Sequence, residues 1–131
     1  PFPDTPAEIA ELEEIQDRFV AAAAHDPKLA SLHNRAFHFR LMAAGDLPTT
    51  YNIIESLWVG MGSMFQIFHT RAEPRGLQKD SHRHEDVLDG LRRRDAEATR
   101  TALQADIAWG RLMIDWLEER ERQAAEKPVG A

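Results

Sequence analysis

The chain contains no cysteine, which removes disulfide frameworks and thiolate metal sites at once. No apolar run approaches the roughly 18 residues that a membrane-spanning helix needs. The opening segment, PFPDTPAEIAELEE, lacks the apolar stretch of a secretory signal. Positive charge is also in the minority: 16 Lys and Arg stand against 22 Asp and Glu, for a formal net charge of −6. A surface of that sign repels phosphate backbones, so nucleic acid is not an expected direct partner of these residues. No strand-like alternation of useful length, internal repeat or low-complexity tract appears. A cytoplasmic location and no membrane contact are the expectations.

What the chain does have is enough apolar material for one core. Its 131 residues are 43% hydrophobic and 29% charged, a balance that fits a single globular domain over 1–131. Thr5 is placed to cap a helix with Pro6 at its first position and Glu8 in the capping-box place. Ile9, Leu12, Ile15, Phe19 and Val20 then recur at helical spacing. Asp26-Pro27 restarts the chain in the same way, with Leu29, Leu32, Ala36, Phe37 and Leu41 as the apolar stripe, ending near Gly45. A third helix from Leu47-Pro48 carries Tyr51, Ile54, Leu57, Trp58, Met61, Phe65 and Phe68 around most of its circumference, which predicts a central, buried helix. Pro74 and Gly76 mark residues 70–80 as the main loop. Asp80 or Ser81 can cap a fourth helix with His84, Val87, Leu88 and Leu91 facing inward. Asp95 begins a long last helix, with Ala98, Ala102, Leu103, Asp106, Trp109, Met113, Trp116 and Leu117 on its buried side, and the tail beyond Glu126 is expected to fray. The reading is an all-α antiparallel bundle of five to six helices.

Four polar residues fall in phase with these apolar faces. Asn34 and His38 lie one turn apart on one face of the second helix. His84 is in phase with Val87, Leu88 and Leu91, and Asp106 with Ala102, Leu103 and Met113. A lone ionised carboxylate among Leu, Trp and Met faces is costly. Either a cation or a buried Arg salt bridge would relieve it. Two imidazoles, one carboxylate and one amide oxygen suit a divalent metal. His82, two residues before His84, is the spare ligand. His25 and His33 read as helix-end and surface residues, and Arg92–Arg94 as a solvated face.

With NRAFHFRLMAAG, YNIIESLW and HEDVLDGLRRRDAEATRTAL, the chain resembles the FadR-type C-terminal (FCD) effector-binding domain of GntR-family bacterial transcription regulators. The resemblance spans roughly residues 8–120. It rests on Asn34 ahead of Phe37-His38, on His84, and on the run Leu91, Asp95, Ala96, Ala98. It implies that Asn34, His38, His84 and Asp106 bind a divalent metal. The fourth place, usually His in the family, is Asp106 here, and the first is Asn34 rather than the commoner Asp. That oxygen-richer set leans toward Mn²⁺, Ni²⁺ or Fe²⁺, with Zn²⁺ still favoured by affinity order. The implied function is a non-enzymatic sensor: a small organic-acid effector enters the bundle, its carboxylate meets the metal, and Arg35, Arg83 or Arg100 offers a second, bidentate contact. A homodimer is implied, with DNA bound only through a winged helix-turn-helix that residues 1–25 do not resemble, so the sequence reads as the sensor part of a longer regulator. Two other classes compete. One is a helical-bundle metalloenzyme with a 2-His/carboxylate site; the other is a structural dimerisation domain with a vestigial pocket.

Overall fold

The computed structural model describes residues 5–71 and 82–126. Among them the chain forms α-helices and no strand: α1 (Pro6–Ala23), α2 (Pro27–Ala44), α3 (Pro48–Arg71), α4 (His84–Arg92), α5 (Ala96–Trp109) and α6 (Arg111–Glu126). The boundaries follow local chemistry. Thr5 Oγ1 accepts from Glu8 N–H and the Glu8 side chain returns the bond to the Thr5 backbone, closing the capping box ahead of Pro6. Asp26 caps α2 through Leu29 N–H at 3.0 Å, again with proline in the first turn. Asp95 caps α5 through Ala98 N–H at 2.9 Å.

α1 and α2 form an antiparallel hairpin, with Arg40 late in α2 bonded to Glu8 and Glu11 early in α1. α4 and α5 form a second, tighter one, turned by Arg94 in the left-handed region (φ 53°) with Asp95 N–H donating to Gly90 C=O. The two hairpins close on a core of Leu12, Phe37, Val87, Leu88, Leu91 and Ala102. Phe19, Ala22 and Ala30 make a second cluster beside it. Arg92 ties α4 to α1 through Glu13 at 2.7 Å.

Four expectations are corrected. First, α3 is not the buried centre: Ile53, Leu57, Val59 and Met64 are exposed. It rests on α2 through Tyr51 and Trp58, whose rings meet Phe39 edge-on at 5.1 and 5.6 Å. An apolar circumference requires apolar neighbours, but not neighbours from the same chain. Second, the inward phase of α2 runs through Ala30, Phe37 and the half-buried Leu41. Leu29, Leu32 and Ala36 are exposed, because Phe37 rather than the leucines sets the rotation. Third, the long last helix is divided at Gly110, where backbone bonds become i→i+3 and a residue of weak helix propensity sits. Fourth, Arg83 precedes α4 with no side-chain cap bond. Asp80, Ser81, the loop after Arg71 and the tail after Glu126 lie outside the described residues, as do the side chains of Phe65, Phe68, His69 and Trp109.

α4 and α5 approach closely at Gly90, where an added Cβ would sit 2.8 Å from Thr99 N and 3.0 Å from its Cα. Backbone cannot yield as a side chain can, so Gly90→Ala is expected to destabilise by about 1–3 kcal/mol through overpacking. Urea unfolding reads this as a lower midpoint at unchanged slope. A variant as stable as the parent would contradict the close α4–α5 approach.

Candidate metal centre

Four helices converge here, each with one side chain. Gln16 comes from α1, His38 from α2, His84 from the first turn of α4 and Asp106 from α5. His84 is fully buried, with its ring stacked on Phe37 at 4.1 Å and tilted against Phe19 at 5.1 Å. Its Nδ1 lies 2.7 Å from Gln16 Oε1. An amide oxygen only accepts, so the imidazole donates its Nδ1 proton and Nε2 keeps the lone pair. Burial lowers the pKa of His84, which favours the neutral ring.

That lone pair faces the carboxylate: Nε2 is 3.5 Å from Asp106 Oδ2, is buried, and has no hydrogen-bond partner. Asp106 is itself buried. Burial alone would raise its pKa, but hydrogen bonding from neighbouring imidazoles, His38 foremost, more than offsets this and holds the carboxyl well below the usual carboxylate range. In the neutral ring with Nδ1 protonated, an imidazole lone pair thus faces an ionised oxygen in a buried site, an arrangement that a cation between them relieves.

The remaining contacts hold Asp106 in place. His38 Nε2 donates to Oδ2 at 2.9 Å, while Oδ1 accepts from Arg83 N–H at 2.7 Å and has His82 Nδ1 at 3.4 Å. Donor atoms of His38, His84 and Asp106 all lie within 4.8 Å of one another. Bonds of about 2.0–2.2 Å place ligand atoms up to roughly 4.3 Å apart, so these three need only a small contraction to share one ion. Asn34, one turn before His38, has a buried Oδ1 with no hydrogen-bond partner. Two imidazoles and one carboxylate make His38, His84 and Asp106 a donor set that fits a divalent cation.

The three arginines expected near an effector are engaged elsewhere. Arg35 pairs with Glu55 at 3.7 Å and lies over the Phe39 ring at 4.8 Å, toward α3. Arg83 pairs with Asp86 on the surface and gives Asp106 only its backbone N–H. Arg100 pairs with Glu97 on an exposed face. Among the described residues no arginine guanidinium is bonded to Asp106, so they do not form the alternative of a buried guanidinium pair. Gln16 was not anticipated from the sequence. Its signal was present, since it continues the Leu12–Phe19 stripe as the one polar residue in phase. Access to the cluster is at His38, whose side chain is 14% exposed against 0% for His84 and 2% for Asp106. The broad groove between α4 and α5, lined by Arg83, Asp86, Arg93 and Thr101, includes none of the cluster's His or Asp side chains.

The FCD domain family model matches residues 4–108, and the chain belongs to this family. No curated protein and no solved structure matches it.

Two outcomes follow for the metal-free protein. Gln16→Leu leaves His84 Nδ1–H buried without an acceptor and is expected to cost about 1–3 kcal/mol. It is also expected to weaken metal binding by roughly 10–100-fold, since the ring loses the bond that fixes its tautomer. Calorimetric titration and urea unfolding measure the two, and unchanged metal affinity would show that Gln16 does not orient the ring. Stability is also expected to fall with pH. The folded pKa of His84 lies below the ordinary imidazole value of 6.5, so only the unfolded chain gains that proton as pH drops through 6.5. Asp106 adds a further loss below the ordinary aspartate value of 3.8, because its folded pKa is also depressed. Unfolding midpoints at pH 7.5, 6 and 5 test the first window, and a flat profile would contradict a neutral buried His84.

Proposed function

We propose that this FCD domain is the ligand-sensing part of a GntR-family transcription regulator. Asn34, His38, His84 and Asp106 bind one divalent cation, and that cation anchors the carboxylate of a small organic acid. The observation that carries this reading is the buried His84 Nε2, without a hydrogen-bond partner, 3.5 Å from the carboxylate oxygen Oδ2 of Asp106. The mixed nitrogen and oxygen donors suit Mn²⁺, Fe²⁺, Ni²⁺ or Zn²⁺. The effector reaches the cation past His38, the least buried member of the cluster. Because the ligands come from α2, α4 and α5, a cation with its effector favours one packing of the two hairpins over another. The coupling is limited to the difference in affinity between those packings. In the regulator, this bias passes through a homodimer to DNA-binding modules carried outside these 131 residues.

A second reading has one observation in its favour: His38, His84 and Asp106 are also the two-histidine, one-carboxylate set of non-haem iron oxygenases. Turnover with Fe²⁺ and a reductant would support it over sensing.

The test uses chelator-stripped protein titrated with Mn²⁺, Ni²⁺ or Zn²⁺, followed by a panel of small mono- and dicarboxylates, with thermal unfolding as readout. Metal at 100-fold over its Kd is expected to add about 2.7 kcal/mol. Carboxylates are expected to raise Tm further only in metal-loaded protein, and Asp106→Ala is expected to abolish both shifts. Carboxylate stabilisation that is equal without metal, or no metal-dependent shift at all, would overturn the reading.

A further inference from the structure

α1, α2 and α5 each begin on a side chain of their own, since Thr5, Asp26 and Asp95 accept an N–H from the first turn that follows. α4 does not. Its N-cap is Arg83, whose side chain makes no cap bond and pairs with Asp86 on the surface. Yet α4 carries His84, the fully buried ring of the cluster, at its first position. We infer that Asp106, 23 residues beyond Arg83, supplies the missing anchor and divides its carboxylate between two tasks. Oδ1 holds the start of α4 and so positions His84, and Oδ2 alone meets the cation.

The two oxygens face different partners. Oδ1 accepts from Arg83 N–H at 2.7 Å and has His82 Nδ1 at 3.4 Å, both from the residues just ahead of α4. Oδ2 has His38 Nε2 at 2.9 Å and His84 Nε2 at 3.5 Å. A carboxylate suits the first task because N–H groups at a helix start lack intrahelical partners and carry the positive end of the dipole. The bond is short and charge-assisted, and the Asp106 side chain is only 2% exposed, so water is a poor substitute for it. The tie falls one residue from His84. It fixes where the backbone of that residue starts, while Gln16 fixes the ring through Nδ1. Turning the carboxylate to chelate an ion with both oxygens would give up Arg83 N–H, so ligation through one oxygen is the arrangement that keeps every bond. An imidazole at position 106 could not serve both ends. Once one of its nitrogens ligates, the other carries the proton and donates.

This rests on the metal site of the reading above, but the anchor is present without metal, so one experiment separates the two. Amide hydrogen exchange at Arg83 is followed by NMR in the chelator-stripped chain and again at saturating Zn²⁺. An N–H at an exposed helix start ordinarily exchanges fast. Here it is expected to be slowed by roughly 10–100-fold, the equivalent of one hydrogen bond to a charged group, and to stay slowed with Zn²⁺ bound. Asp106→Asn keeps an acceptor oxygen in a side chain of the same shape. It is expected to retain the Arg83 protection while Zn²⁺ affinity falls by at least the roughly 10–100-fold that loss of an outer-shell partner costs. Asp106→His is expected to do the reverse, binding Zn²⁺ with the Arg83 protection gone. Fast exchange at Arg83 in the metal-free parent would overturn the inference. So would release of that amide when Zn²⁺ binds, or loss of its protection in Asp106→Asn. Should Asp106→His fail to fold, the parent and the Asn variant still decide. If Arg83 is protected but Zn²⁺ does not bind the parent, the sensing reading and the task of Oδ2 fail while the anchor stands.

Discussion

The buried ring of His84 is the constraint around which the four contributing helices are arranged. One nitrogen is committed to Gln16, so the other must present a lone pair, and it presents it to an ionised Asp106. Neither partner can turn to water, because His84 is fully buried and stacked on Phe37, and Asp106 is fixed through its other oxygen by Arg83 N–H. A protein interior tolerates such a pairing when a positive charge belongs between the two groups. Burial lowers the His84 pKa against the opposing pull of Asp106, and leaves Nε2 unpartnered beside the carboxylate oxygen on which His38 also converges.

The supporting structure is built so that these groups arrive together. Capped starts at Thr5, Asp26 and Asp95 fix where α1, α2 and α5 begin, and so fix the rotation at which Gln16, His38 and Asp106 face inward. The tight turn through Arg94 and the absence of a side chain at Gly90 bring α5 against α4, which sets Asp106 beside the start of α4. The outer half of the same carboxylate is held by Arg83 N–H and flanked by His82, leaving Oδ2 to His38 and His84. Each hairpin contributes side chains to the cluster, so an ion held there would link its occupancy to the packing of the two hairpins.

What was legible in the sequence was what depends on neighbours along the chain. Helix starts at Thr5-Pro6, Asp26-Pro27 and Asp95 are written in capping residues. Helical phase alone was enough to single out His38, His84 and Asp106 as inward-facing polar groups. What was not legible depends on partners distant in sequence. Gln16 reads as an interruption of an apolar stripe until His84 is seen opposite it. The leucines of α2 look like core, yet Phe37 sets the rotation and leaves Leu29 and Leu32 outside. The apolar circumference of α3 was read as burial within one chain, when its α2 side alone is covered among the described residues.

X-ray absorption at the metal edge of protein loaded with one equivalent of Mn²⁺ or Ni²⁺ tests the central claim most directly. The account predicts a first shell of nitrogen and oxygen only, with the outer-shell scattering of two imidazole rings, and loss of one ring's contribution in His84→Ala. A spectrum of a hydrated ion with no imidazole scattering, or one unchanged by that substitution, would contradict it.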